Sequence, residues 1–217
     1  MIERHIHSLQ IEDPGSEDPA VTRERLGASL PRGAARRMTQ LGLLLGSTFE
    51  KVRPGPEDTI VYASTYAESL ALEDYLASFP TPSPTLFQSS IHPSAVQQAL
   101  IARKQPVRQL FPLTGRGQLV AHAVQAALLS GSPCVILCGG EERGTWTREH
   151  DMASSESFAF ALALTRDNAG SLGKLALEPG ADPGGDFTLP QFFAALRNGS
   201  PLREQAAPGL TLILTWH

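Results

Sequence analysis

The run "LVAHAVQAALLS" at 119–130 most limits what this chain can fold into. It reads as one helix over 118–130. Leu119, Val120, Ala121, Ala123, Val124, Ala126, Ala127, Leu128 and Leu129 leave that helix almost no polar circumference. A helix apolar nearly all round belongs in the centre of a fold, between sheets or between a sheet and a partner. Its polar stripe is Gln118, His122 and Gln125, at i, i+4 and i+7. Such a stripe reads either as an ordinary hydrogen-bonded edge or as the lining of a subunit contact. Ahead of it, a strand-like run over 107–113 meets a corner of small residues, Thr114-Gly115-Arg116-Gly117. In many α/β enzymes a strand–turn–helix corner lifts a nucleophile out of the sheet. This corner holds neither Ser nor Cys.

The rest of the chain alternates strand and helix signals. Strands are expected over 4–12, 59–65 ("TIVYAST") and 133–140 ("PCVILCGG"), and helices over 31–49 behind Pro31, over 68–79, and from Pro93 to about 103. Residues 13–28 and the proline-rich 80–85 read as connections. Beyond Glu142, the segment 157–165 alternates Phe158, Phe160, Leu162 and Leu164 with alanines. One of its faces is bulky, and the other is small enough for a helix to approach closely. "GKLALEP" and "LTLILTWH" read as further strands, with "LPQFFAALRNG" a helix between them. The fold class expected is α/β, a mixed sheet with a buried central helix and some antiparallel edges. With 217 residues and 41% apolar content, the chain is long enough for one domain over 1–217, with a variable segment at 1–29.

Composition excludes several classes. A net charge of −4 argues against an all-over nucleic-acid or anionic-membrane binder. "MIERHIHSLQ" is not a signal peptide, and runs such as "CVIL" are too short to span a bilayer. No membrane insertion and a cytoplasmic location are therefore expected. Cys134 and Cys138 lie four apart on a strand-like run and read as core thiols. His5 and His7 share a strand face without a third ligand in sight, so no metal or cofactor is expected. No G-x-S-x-G occurs, which speaks against a serine hydrolase. The corner at 114–117 could cradle a phosphate on backbone N–H groups, but no G-x-x-x-x-G-K-S/T pattern accompanies it.

Four stretches follow one another in a recognisable order: "HPSAVQQALIA", "KQPVRQLFPLTGRGQL", "VAHAVQAALLSG" and "SPCVILCGGEE". Together they resemble the nucleophile region of the β-ketoacyl synthases, in the thiolase-like superfamily. The match runs without a gap from 92 to 119. It places Gly115 where that family has its acylated cysteine, His92 at its Asn, and "GGEE" at its Gly-Gly-Ala-Glu. Condensation needs a thiolate to carry the acyl chain. It also needs histidines from a later half of the fold, and the chain stops before such a half could form. The resemblance therefore implies a thiolase-like half-fold that does not condense on its own.

The closer resemblance is to shortened ketosynthase-like proteins of the chain-length-factor type, found beside type II fatty acid or polyketide genes, notably those for aryl polyenes. Their Arg-rich helix start is similar to "LPRGAARRMTQLGLLLG" here. In ordinary chain-length factors Gln replaces the cysteine, whereas this chain has Gly115. The resemblance implies a catalytic ketosynthase subunit as heterodimer partner and an acyl carrier protein docking at Arg32, Arg36 and Arg37. It also implies an extended segment 84–88 that reaches the partner's acyl tunnel with Leu86 and Phe87. Gly115, Gln118, His122 and Gln125 would then face the partner. The alternative is a stand-alone acyl-thioester-binding or acyltransferase-like enzyme.

Overall fold

A computed structural model describes residues 1–31, 33–180 and 187–217. One eight-stranded sheet organises the chain, in the order β3-β2-β4-β5-β1-β6-β8-β7. Its strands are β1 (Ile2–Glu12), β2 (Thr59–Ser64), β3 (Gln109–Thr114), β4 (Cys134–Glu141), β5 (Phe158–Thr165), β6 (Gly173–Pro179), β7 (Leu202–Ala207) and β8 (Leu210–Trp216). β2 runs parallel to both β3 and β4, and the remaining pairs are antiparallel. The mixed sheet expected from the alternating pattern is therefore present.

The alternation in β5 divides the core in two. Phe158, Phe160, Leu162 and Leu164 point to the side that holds the helices α6 (Leu119–Leu129) and α7 (Leu189–Arg197). Phe158 stacks on Phe193 at 4.2 Å, and Phe160 meets Phe192 edge-on at 5.5 Å. Ala159 and Ala161 point to the opposite side, where α2 (Gln40–Thr48) and α5 (Ser94–Arg103) pack. The small alanine methyls let the leucines of α2 lie close against the strand, and Leu41, Leu43, Leu44 and Leu45 are fully buried there. α6 is the buried central helix, with only His122, Gln125 and Leu129 exposed along its length. Among the described residues no helix is long and apolar enough to cross a membrane.

Three segments fold differently from expectation, and a capping residue explains each. Within 13–28, a helix α1 (Pro19–Gly27) begins at Asp18, whose side chain accepts the Ala20 N–H at 2.8 Å with Pro19 at the first helical position. The helix expected over 31–49 breaks into a 3₁₀ turn (Ala35–Arg37) and α2. Met38 ends the turn in extended conformation, and Thr39 caps α2 by accepting the Gly42 N–H. The segment 84–88 is not extended: it forms the short helix α4 (Pro84–Ser89), capped by Ser83 through the Leu86 N–H. α3 (Ser69–Ala77) forms as the pattern predicts. β7 is an addition, hidden in the sequence because its "LREQAA" is mostly polar, as suits an exposed edge strand.

Arg4 is wholly buried, although it lies on a strand that reads as ordinary. Its guanidinium donates to the carbonyls of Ser130, Ser132, Pro133 and Leu164. It thereby satisfies carbonyls just past the C-terminus of α6, a task usually left to caps or water. The cysteines behave as read: Cys138 is buried, Cys134 is half-buried, and burial pushes the Cys134 thiol up to about 11.

Candidate functional site

The corner between β3 and α6 is a real elbow. Gly115 has φ +129°, a conformation side chains rarely adopt, and a Cβ placed there would meet nothing within 4 Å. Gln118, in left-handed conformation, leads into α6. Arg116 ion-pairs with Asp151, and its guanidinium lies 5.1 Å from the centroid of the Tyr66 ring. The Tyr66 hydroxyl donates to Asp151 at 3.3 Å, which closes a three-residue clasp over the turn. The space is open, but the backbone is wrong for cysteine.

Two buried carboxylates set the clasp from below. Glu73 on α3 accepts from the N–H and Oγ1 of Thr145 and from those of Thr147, anchoring the loop that carries Asp151. Burial alone would raise the Glu73 carboxyl, yet the hydrogen bonds together outweigh it and hold the group below its ordinary range. Glu141 accepts from the backbone N–H groups of Thr65 and Tyr66 and from the Ser64 hydroxyl, which fixes the turn that presents Tyr66.

The "GGEE" motif thus has a structural meaning at every position. A Cβ on Gly139 would come within 2.8 Å of the Ala63 carbonyl, and one on Gly140 within 2.6 Å of the Phe158 carbonyl, so β4 approaches its neighbours as only glycine allows. Glu141 ties down the end of β2, and Glu142 accepts the Leu41 N–H in the first turn of α2 at 2.9 Å. Burial pushes both carboxyls up to about 7, against opposing backbone hydrogen bonds in each case.

A pH dependence follows from these two groups. A carboxyl that keeps its proton in the fold up to about 7, but releases it near 4.5 when unfolded, makes folding take up protons between those values. Stability should therefore fall as pH rises from 4.5 to about 7 and level off above. In Glu142→Gln this fall should be shallower than in the wild type. Denaturant melts at pH 5, 6, 7 and 8 measure it, and equal slopes for the two proteins contradict it.

His92, at the family's Asn position, is engaged elsewhere. Its Nδ1 lies 3.0 Å from the Glu68 carboxylate, and its ring stacks on Tyr62 at 5.1 Å. Phe87 is 49% exposed and packs on one side against Tyr75 at 5.3 Å. Leu86 turns the other way, into a cleft of this chain that Arg36 and Arg37 also line. Arg36 and Arg37 are exposed on the 3₁₀ turn, and Arg32 lies outside the described residues. His122 and Gln125 are exposed on α6, while Gln118 is half-buried. His5 and His7 lie on β1; His7 is bonded to the Asp167 carbonyl, and no group of three metal-ligating side chains occurs among the described residues.

The two sheet edges differ in character. β7 presents Arg203 and Glu204, whereas β3 presents an exposed Phe111 and, among the described residues, pairs only with β2. Beneath α6, the apolar gap lined by Ala63, Val120, Val124, Leu137 and Phe160 is too small to admit water. The clasp, Glu73 and the partners of the "GGEE" carboxylates were beyond sequence reasoning, because those partners are far apart in the chain.

No family model matches this chain, and no curated protein matches it in sequence. Solved structures do. One is the ketosynthase ApeO in complex with its chain length factor ApeC from Xenorhabdus doucetiae. That match has 20% identity and a TM-score of 0.70, and covers 99% of this chain and 100% of the matched one. This chain has the ketosynthase-like fold. The ishigamide ketosynthase/chain length factor aligns at 12% identity and a TM-score of 0.56, over 82% of this chain and 68% of that one. AntDE:AntF, a type II polyketide acyl carrier protein in complex with its ketosynthase, aligns at 12% identity and a TM-score of 0.53, over 84% and 71%. The ketosynthase-like fold expected from the motif order is thereby borne out.

Proposed function

We propose that this chain is a non-catalytic ketosynthase-like subunit of the chain-length-factor type. It pairs with a catalytic β-ketoacyl synthase and shapes that enzyme's acyl tunnel in polyketide, aryl polyene or fatty acid synthesis. The observation that carries this reading is an elbow that is kept and clasped in place although its apex, Gly115, has no side chain. The edge of β3, unpaired and bearing Phe111, supports a partner on that side. His122 and Gln125 on the neighbouring helix would face the same partner, with Gln118 at its start. Two of the solved complexes that share the fold pair a ketosynthase with a chain length factor, and a third holds an acyl carrier protein with its ketosynthase. Arg36 and Arg37, exposed together, offer an acidic carrier protein a steering patch.

Phe87 is the residue by which such a subunit would set chain length. It is not packed into its own core, so truncating it leaves this chain's stability nearly unchanged, whereas a core Phe→Ala costs about 3–5 kcal/mol. In a complex reconstituted with a ketosynthase, Phe87→Ala should lengthen the products at near-normal thermal stability. Product lengths are read by mass spectrometry and stability by calorimetry. Unchanged lengths contradict the tunnel role, and a parallel Leu86→Ala variant tests whether the effect is confined to the outward-facing side chain.

A further inference from the structure

Between α1, the 3₁₀ turn, α3 and α4 lies a cleft of about 580 Å³. That size falls within the range of roughly 300–1,000 Å³ typical of small-molecule sites. Met38, Leu70, Ala71 and Leu86 give its walls an apolar stretch, and the Asp74 carboxylate lines it as well, on the side of Arg23. At its base is Glu142, only 1% exposed. Glu142 Oε2 is taken by the Leu41 N–H, but Oε1 makes no hydrogen bond of normal geometry, although the N–H groups of Leu70 and Ala71 face the carboxyl. A buried oxygen that lacks a hydrogen bond of normal geometry is under-satisfied and can take a further donor.

The mouth of the cleft carries the opposite chemistry. Arg36 and Arg37 are exposed there and make no ion pair among the described residues. Arg23, by contrast, is committed: it donates to the carbonyls of Ala35 and Met38 and faces Asp74. The cleft thus offers two free guanidinium groups outside, an apolar passage, and one buried acceptor inside.

We propose that this cleft binds a small amphiphilic anion, whose carboxylate or phosphate meets Arg36 and Arg37 and whose inner end donates a hydroxyl or amide hydrogen to Glu142. A guanidinium pair suits either anionic head, and a short hydrocarbon chain suits the walls. Binding requires neither ketosynthase nor carrier protein, so it stands or falls apart from the pairing described above.

The test uses the purified full chain at pH 8, where Glu142 is ionised, and three probes: ω-hydroxyoctanoate, octanoate and octanediol. The hydroxy acid should bind about tenfold more tightly than either probe that lacks one of its ends. In the double variant Arg36→Ser/Arg37→Ser, both acids should lose about tenfold in affinity while octanediol is unaffected. Glu142→Leu should erase the advantage of the hydroxy acid over octanoate. Because that side chain is buried, the surface double variant and the probe series decide the matter if Glu142→Leu fails to fold. Absence of saturable binding, equal affinity for all three probes, or an unaffected double variant overturns the proposal.

Discussion

Substituting Gly140 with alanine is expected to lower the melting temperature by roughly 10 °C. A Cβ at this position would sit 2.6 Å from the Phe158 carbonyl oxygen, 3.1 Å from Leu41 Cδ1 and 3.2 Å from Ala159 Cα. Two of these neighbours are backbone atoms of β5, paired with β4 across the middle of the sheet, so they cannot step aside as a flexible side chain does. The third belongs to Leu41 of α2, a side chain fully buried against the same strand. Overpacking of this kind costs about 3 kcal/mol. Gly131→Ala is the control: its Cβ would meet nothing within 4 Å, and its stability should match the wild type within about 0.5 kcal/mol. Calorimetry of both variants is sufficient. A Gly140→Ala protein as stable as the control contradicts the packing described for β4.

Replacing Glu73 with alanine is expected to cost about 3 kcal/mol or more, because hydrogen bonds to an ionised group are among the strongest in a fold. Four donors on Thr145 and Thr147 converge on this one buried carboxylate. Without it, the N–H groups lose their acceptor and the loop that carries Trp146 and Asp151 loses its anchor. The effect should therefore be local as well as global. Amide protection at Thr145 and Thr147 should collapse, and the hold of Asp151 on Arg116 at the elbow should weaken with it. The pH dependence has the opposite sign to that of Glu142. The folded-state value for Glu73 is depressed, so its contribution is complete above 4.5 and is lost as pH falls through the lower, folded value. Hydrogen exchange read at those two amides separates this from a general loss of stability, and unchanged protection in Glu73→Ala contradicts the anchor.

Patterns of burial were the legible part of the sequence. β5 could be read because Phe and Ala alternate along it, and α6 because no polar face interrupts it. Two of the misread segments share one trait: a proline taken for a break was a beginning. Asp18-Pro19 and Ser83-Pro84 each pair a capping side chain with proline at the first helical position, where its missing N–H costs nothing. Thr39 did the same work without a proline and split one expected helix into a turn and α2. At the candidate site, the elbow was legible because its residues are consecutive. Its clasp was not: Tyr66 and Asp151 are 85 positions apart, and Glu73 reaches Thr145 across 72. Nothing local marks such pairs, since each residue alone reads as a solvated surface group. Only the closed sheet brings them together.

The most direct measurement is a condensation assay on acyl and malonyl thioesters, run with this chain alone, with a catalytic β-ketoacyl synthase alone, and with the two co-purified. A tunnel-shaping subunit with glycine at its elbow gives no turnover alone. It should co-purify with the ketosynthase and change the length of the chains that enzyme makes. Condensation by this chain alone, or an identical product distribution with and without it, contradicts that role.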